Sequence, residues 1–247
     1  MKKLSGGLVV AVVALVLALV APGTATGAGD GFSMRDRFAR EQARHGDNDA
    51  SPYSIEHVTE LQYRLKRVNL MRGVSATGYY GDVTRRAVKT FQRRVGLKAS
   101  GVATHKTWSR LIQRSNRNLD AARRRCDGGG WHVCYDRNRH QATLWRNGRL
   151  WNSWLVRGGA ADSKTRKGAN AVYYRDRDHV SGMFDDAPMP FSQFFDGGQA
   201  LHGSRSMMDP WVGHSHGCIN MYVEDARQLW RLTHKRRLVV HVYGAWD

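Results

Sequence analysis

The sequence predicts an α+β multidomain protein, a small three-helix module followed by a mainly-β domain. Three observations carry that reading. Apolar residues recur at helical spacing from about residue 56 to 114. Beyond residue 130 they fall into short alternating or unbroken runs. A polar, glycine-ended stretch separates the two patterns. A chain of 247 residues is long enough for both parts to bury a core.

At the amino end, Lys2 and Lys3 precede an uninterrupted apolar run over residues 8–20, and small residues follow in "APGTATGA". This is the pattern of an export signal, assigned to residues 1–28. The run is shorter than the roughly 20 residues a spanning helix needs. An uncleaved amino-terminal anchor is the competing reading, and either way the bulk of the protein lies outside the membrane. Residues 29–54 are polar and aperiodic, the composition of a flexible, solvated spacer. A compact module is expected over 55–115. Its first helix carries Val58, Leu61, Leu65 and Val68 on one face, its second Val83, Ala87, Phe91 and Val95. Its third begins at Thr104, an N-cap residue type, and offers Trp108, Leu111 and Ile112. Residues 116–130 read as a basic linker. In the β domain, 131–247, "WHVCYD", "QATLWRNGRLW" and "RLVVHVYG" are strands, with Asn147-Gly148 as a two-residue hairpin turn. One helix, over 223–232, interrupts the sheet pattern.

The 39 basic against 21 acidic residues leave a net charge of +18, spread along the chain without one basic arm. In an exported protein that balance points to an anionic cell-wall polymer as partner and away from nucleic acid. Three cysteines are present. Cys126 and Cys134 flank a flexible "DGGGWHV", which permits a bridge without showing one; their pairing would leave Cys218 free.

The segment "SHGCIN" (215–220) supplies a thiol, a nearby imidazole and an open Gly217 backbone, while "HG" at 202–203 adds a second imidazole. A thiol attacks as thiolate and needs a base, for which histidine is suited. Backbone amides at a Gly-Cys turn suit a developing oxyanion. The ordered set His202-Gly203, then Ser215-His216-Gly217-Cys218-Ile219-Asn220, resembles the active-site signature of the cysteine L,D-transpeptidases, and the likeness extends over residues 131–243. Upstream, "LQYRL", "TGYYGDVTRRAVKTFQ" and "GLKASGVATHKTW" resemble a peptidoglycan-binding module.

The resemblance implies Cys218 as nucleophile, His202 as general base and acid, and His216 ordering the site by hydrogen bonding. It implies the amides of Gly217 and Cys218 as oxyanion donors. Gly203, Ser215 and Asn220 fill signature positions, the last two with either an active or a purely structural part. The implied reaction is acyl transfer from a peptidoglycan tetrapeptide stem, with loss of D-Ala, to an amine of a neighbouring stem. Water as acceptor would make the same residues an L,D-carboxypeptidase. No metal or organic cofactor is required, and carbapenem-type β-lactams are implied as acylating inhibitors of Cys218. One departure stands out: where the family carries a Thr-Pro-x-Gly turn this chain has "TRKG" (165–168), which predicts a looser turn. Two further readings compete. A zinc-dependent wall peptidase would use His202, Asp209, His214 and His216 as ligands; an inactive wall-binding protein would keep the fold without the chemistry.

Overall fold

The computed structural model describes residues 33–246; the expected export signal at 1–28 lies outside them. Among the described residues no helix is long and apolar enough to cross a membrane.

The amino-terminal module is built on α1 (Val58–Arg67), α2 (Asp82–Arg94) and α3 (His105–Ser115). Val58, Leu61, Leu65, Val88, Phe91, Trp108, Leu111 and Ile112 form its core. Val83, expected on the buried face of α2, is 46 % exposed. The buried stripe is Thr84, Ala87, Val88 and Phe91, at i, i+3, i+4 and i+7, and Val83 falls one residue outside it. Thr104 caps α3 by accepting from the Thr107 N–H, as its residue type predicts.

Two buried glutamines repeat one device. Gln62 accepts from the amides of Thr77 and Gly78 at 2.8 and 3.0 Å and donates to Tyr79 O at 3.0 Å. Gln92 accepts from Gly101 N at 2.9 Å and donates to Val102 O at 2.8 Å. Each carboxamide fastens the loop after its helix, where Gly78 and Gly101 take φ of 72° and 78°.

The described part of the expected spacer is packed structure. Phe38, Ala39, Arg40 and Ala43 are buried, and Ala43 bridges to Ala103. Asp49 accepts from the amides of Val58 and Thr59 at the start of α1, at 3.2 and 2.7 Å. Its polar residues spend themselves on capping and on buried ion pairs, a use that composition does not distinguish from solvation. The expected linker is likewise structured. It holds α4 (Leu119–Cys126), whose Ala121, Ala122 and Cys126 pack on Cys134, Trp145 and Tyr243. Cys126 is disulfide-bonded to Cys134.

Nine strands follow: β1 (Trp131–Asp136), β2 (Gln141–Arg146), β3 (Arg149–Leu155), β4 (Gly168–Ala171), β5 (Tyr174–Val180), β6 (Pro188–Asp196), β7 (Gln199–Gly203), β8 (Ile219–Met221) and β9 (Leu238–Tyr243). They form two sheets, β3-β2-β1-β9-β4 and β5-β6-β7-β8. Helix α5 (Val223–Thr233) adds Ala226 and Leu229 to a core that includes Val133, Leu144, Trp154, Phe195, Leu201, Ile219 and Val240. Asn147 and Gly148 turn β2 into β3 with φ of 49° and 69°, the left-handed geometry that the dipeptide favours.

Charged side chains fill the junction of module and β domain. Glu60 accepts from Arg40 at 2.9 Å and Arg64 at 2.7 Å, while Asp225 of α5 meets His57 at 3.2 Å. Both guanidinium groups also donate to Ser153 O of β3 at 2.8 Å.

Candidate active site

Strands β7 and β8 are parallel, with Leu201 opposite Ile219 and His202 opposite Asn220. Opposed residues of such a pair share a face of the sheet, and residues two apart on a strand do as well. That register sets Cys218 level with Ala200, whose N–H lies 3.4 Å from the Cys218 Sγ. Thiol and imidazole therefore open to the same side. Cys218 is half-buried and packs against Met189, Phe194 and Ala200.

The turn before Cys218 is tightly folded. Gly217 has φ of 117°, and a β-carbon there would collide with the Gln199 carboxamide. A β-carbon on Gly159 would lie 2.8 Å from Gly217 Cα, so "RGG" and "HGC" need their glycines for mutual approach. Ser215 ties the turn: its hydroxyl donates to Cys218 O at 2.6 Å and accepts from Gly217 N at 3.1 Å. Gln199 sits beneath, donating to Lys164 O at 3.1 Å and accepting from Arg166 N at 2.9 Å.

The electrostatics favour neutral partners. His202 donates from Nδ1 to Gly203 O at 2.9 Å, which leaves Nε2 as the basic atom. Burial lowers the His202 pKa from 6.5 to about 4; the Gly203 carbonyl pulls it upward, and nearby His179 and Arg157 push it further down. Burial also raises the Cys218 thiol above its ordinary value, against the opposing pull of the Ala200 N–H and Arg166. Both shifts favour an uncharged thiol and an uncharged imidazole over an ion pair in the resting site.

Comparison with known proteins bears on the two domains of the chain. Residues 54–111 match the family model of a putative peptidoglycan binding domain, and residues 130–242 that of the YkuD L,D-transpeptidase catalytic domain. Residues 130–242 are an L,D-transpeptidase catalytic domain. They make the chain a cysteine-dependent transpeptidase enzyme. Among solved structures, an L,D-transpeptidase from Stackebrandtia nassauensis aligns at 24 % identity over 86 % of this chain and 98 % of its own, with a TM-score of 0.52, and shares the fold. One from Xylanimonas cellulosilytica covers 83 % of this chain and 98 % of its own, at 24 % identity and a TM-score of 0.48. A fused Zn-dependent amidase/peptidase/peptidoglycan-binding protein from Clostridium acetobutylicum covers 83 % of this chain and 100 % of its own. At 18 % identity and a TM-score of 0.40, that overlap carries nothing about shared chemistry. Comparison with curated protein sequences finds no significant match.

The transpeptidase domain changes two sequence expectations about its site. The Gly217 N–H is engaged by Ser215, so of the two amides expected to face an oxyanion it is already occupied. His216 is exposed, and its ring stacks on Phe184 with centroids 4.2 Å apart, in place of the expected ordering hydrogen bond. Gly203 is buried with its carbonyl on His202. Asn220 is buried opposite His202, with backbone bonds to Arg157 at 2.8 and 2.9 Å. The ligand set of the zinc reading is dispersed: Asp209 accepts from Tyr63 OH at 2.8 Å, and His214 lies exposed beside Trp246. The "TRKG" turn is pinned without proline. Thr165 is buried and accepts from Gly159 N at 3.1 Å, and Arg166 pairs with Asp196 at 2.8 Å.

Sequence reasoning missed Gln199 and Arg157. Arg157 is buried, donating to Val212 O at 3.0 Å and Ser206 Oγ at 3.1 Å. Each had a visible signal, a polar residue inside an apolar strand run: "GGQALHG" and "WLVRGG".

Proposed function

We propose that the protein is a wall-associated peptidoglycan L,D-transpeptidase that makes cross-links between two third stem residues, with Cys218 as nucleophile and His202 as its base. The observation that carries this is the β7–β8 register, which presents Cys218, the one free cysteine, on the face that holds the tautomer-locked His202. Because both groups rest neutral, His202 Nε2 takes the thiol proton as the sulfur attacks the third-residue carbonyl of a tetrapeptide donor. The tetrahedral oxyanion is assigned to the Cys218 amide, with Gly217 contributing if Ser215 releases it. D-Ala leaves as its amine takes the proton from His202, and a thioester remains. The side-chain amine of a second stem then attacks, loses its proton to His202 and forms the new amide, and the proton returns to sulfur. Water in place of the amine gives the carboxypeptidase outcome. The module over residues 55–115 holds the enzyme on peptidoglycan, and a carbapenem carbonyl meets Cys218 in the donor's place.

The test is mass spectrometry of full-length protein incubated with disaccharide-tetrapeptide, beside Cys218→Ala. Loss of D-Ala with a cross-linked dimer in wild type alone supports the proposal. Cleavage without dimer replaces it by the carboxypeptidase. Activity that survives Cys218→Ala removes the thiol mechanism.

A further inference from the structure

Away from the thiol, the β domain carries a basic, aromatic-floored channel. On the outer face of α5, Arg227, Trp230, Arg231 and His234 follow one another at i, i+3, i+4 and i+7, opposite the buried Ala226, Leu229 and Thr233. A groove of about 560 Å³ opens on one side of this face, floored by Trp131 and Trp151. Those indoles meet edge to face at 5.5 Å, and the Arg146 guanidinium stands over both at 5.4 and 5.5 Å. A second groove of about 520 Å³ opens on the other side, along Trp230 and Phe191. Arg231 and His234 line both, so the two grooves adjoin.

The charge of this surface is one-sided. Arg35, Lys235 and Arg236 border the first groove, Arg177 and Arg227 the second, and among the described residues no carboxylate lines either. Asp178 pairs with Arg177 at 3.2 Å at the rim. The other cations repel one another, a cost that the fold does not require of solvent-facing positions. The rings are half-buried, each with part of its surface in solvent. His234 donates from Nδ1 to Trp230 O at 2.8 Å and lies parallel to the indole, which holds both rings in place without a ligand.

We propose that this channel binds a linear anionic glycan of the cell wall, with sugar faces on the indoles and acidic substituents on the guanidinium groups. Cations alone would suit any polyanion; the rings select one that also presents flat apolar faces. A nucleic acid shares that chemistry, but residues 54–111 match a peptidoglycan binding domain, which puts wall glycan within reach. The channel gives the net charge of +18 a specific task, and it shares no residue with the Cys218 site.

The test uses full-length protein carrying Cys218→Ala, so that binding is read without turnover, by calorimetry at two salt concentrations. The probes are a galacturonate dodecamer, its methyl ester, polyphosphate of matched charge and a dT dodecamer. The galacturonate oligomer should bind, with affinity falling at least fivefold in Arg231→Glu and in Trp230→Ala, and the methyl ester should lose most of the affinity. Polyphosphate should respond to Arg231→Glu but not to Trp230→Ala. Circular dichroism checks that each variant is folded, and Arg227→Glu repeats the charge test at a second exposed position. Galacturonate binding that is unchanged in Arg231→Glu and Arg227→Glu overturns the proposal. So does tighter binding of the dT oligomer with the same Trp230 dependence, which would assign the channel to nucleic acid. None of these outcomes bears on transpeptidation, whose failure would show only in the product assay.

Discussion

The Cys218–His202 pair and the Arg40–Glu60–Arg64–His57–Asp225 cluster are both assemblies of titratable groups withdrawn from water, yet they are arranged to opposite ends. At the thiol site burial outweighs the hydrogen bonds that oppose it. His202 finds the Gly203 carbonyl and the Asn220 side chain but no carboxylate, its pKa falls to about 4, and Cys218 is pushed upward. At the junction every group faces an opposite charge. Glu60, between two guanidinium groups, is held near 2, and His57, against Asp225, is raised to about 8. Desolvation is common to both; the presence of a counter-charge decides which protonation state survives it. A neutral pair can pass a proton at each step of acyl transfer, whereas a network of buried ion pairs can only hold elements together. The network does so for three: the segment before the module, α1 and α5.

The harshest way to break the comparison is Glu60→Gln. It leaves Arg40 and Arg64 buried without their shared carboxylate, and removing one partner of a buried pair costs about 3–5 kcal/mol. Urea denaturation should show a loss of that order, while alkylation of Cys218 below the new midpoint stays as in wild type. A loss under about 1 kcal/mol would mean that water reaches the guanidinium groups and that the cluster is not the closed network described.

How much of this was legible in the sequence follows the same division. Cys218, His202 and Gly217 could be named because thiol, imidazole and open backbone are properties of residue types at short spacing. The helical module could be placed because Leu61, Leu65, Phe91 and Trp108 repeat at the helix period. The junction was hidden: Arg40 and Asp49 look the same in a solvated tail as in a buried network, and only the burial of Phe38 and Ala43 beside them separates the cases. The occupied Gly217 amide was hidden for another reason. It depends on the rotamer of Ser215, and a motif fixes residue order but not where a hydroxyl points. Val83 shows the limit of periodicity itself, because a one-residue shift of the stripe on α2 exchanges it for Thr84.

A gentler probe is pH, where the two regions should pull in opposite directions. His57 has a raised folded pKa, so its contribution is complete below 6.5 and is lost as pH climbs through about 8. The shift corresponds to about 2 kcal/mol. His202 has a lowered one: below 6.5 the unfolded chain binds the proton that the fold resists, so stability falls as pH drops toward 4, by about 2 kcal/mol at pH 5. Stability should therefore peak near pH 6.5, and His57→Gln should remove the alkaline decline while leaving the acid one. An alkaline decline that persists in the variant would assign it to another group.

The smallest effect tests whether the thiol is as isolated as its surroundings imply. Arg166 is the cation whose charge acts on Cys218, and its ion pair with Asp196 is half-exposed. Exposed pairs contribute about 0–1 kcal/mol, so Arg166→Ala should shift the unfolding midpoint only slightly. Its effect on chemistry should be clearer. With that opposing charge gone, burial acts on the thiol with less restraint, and the iodoacetamide rate at pH 8 should drop about twofold to fivefold, in proportion to thiolate population. His202 would be untouched, because Arg157 and His179 are the charges that act on it. An unchanged alkylation rate would place the control of the thiol in the Ala200 N–H alone, and the neutral pair would then owe its poise to backbone geometry and burial, with no side-chain charge taking part.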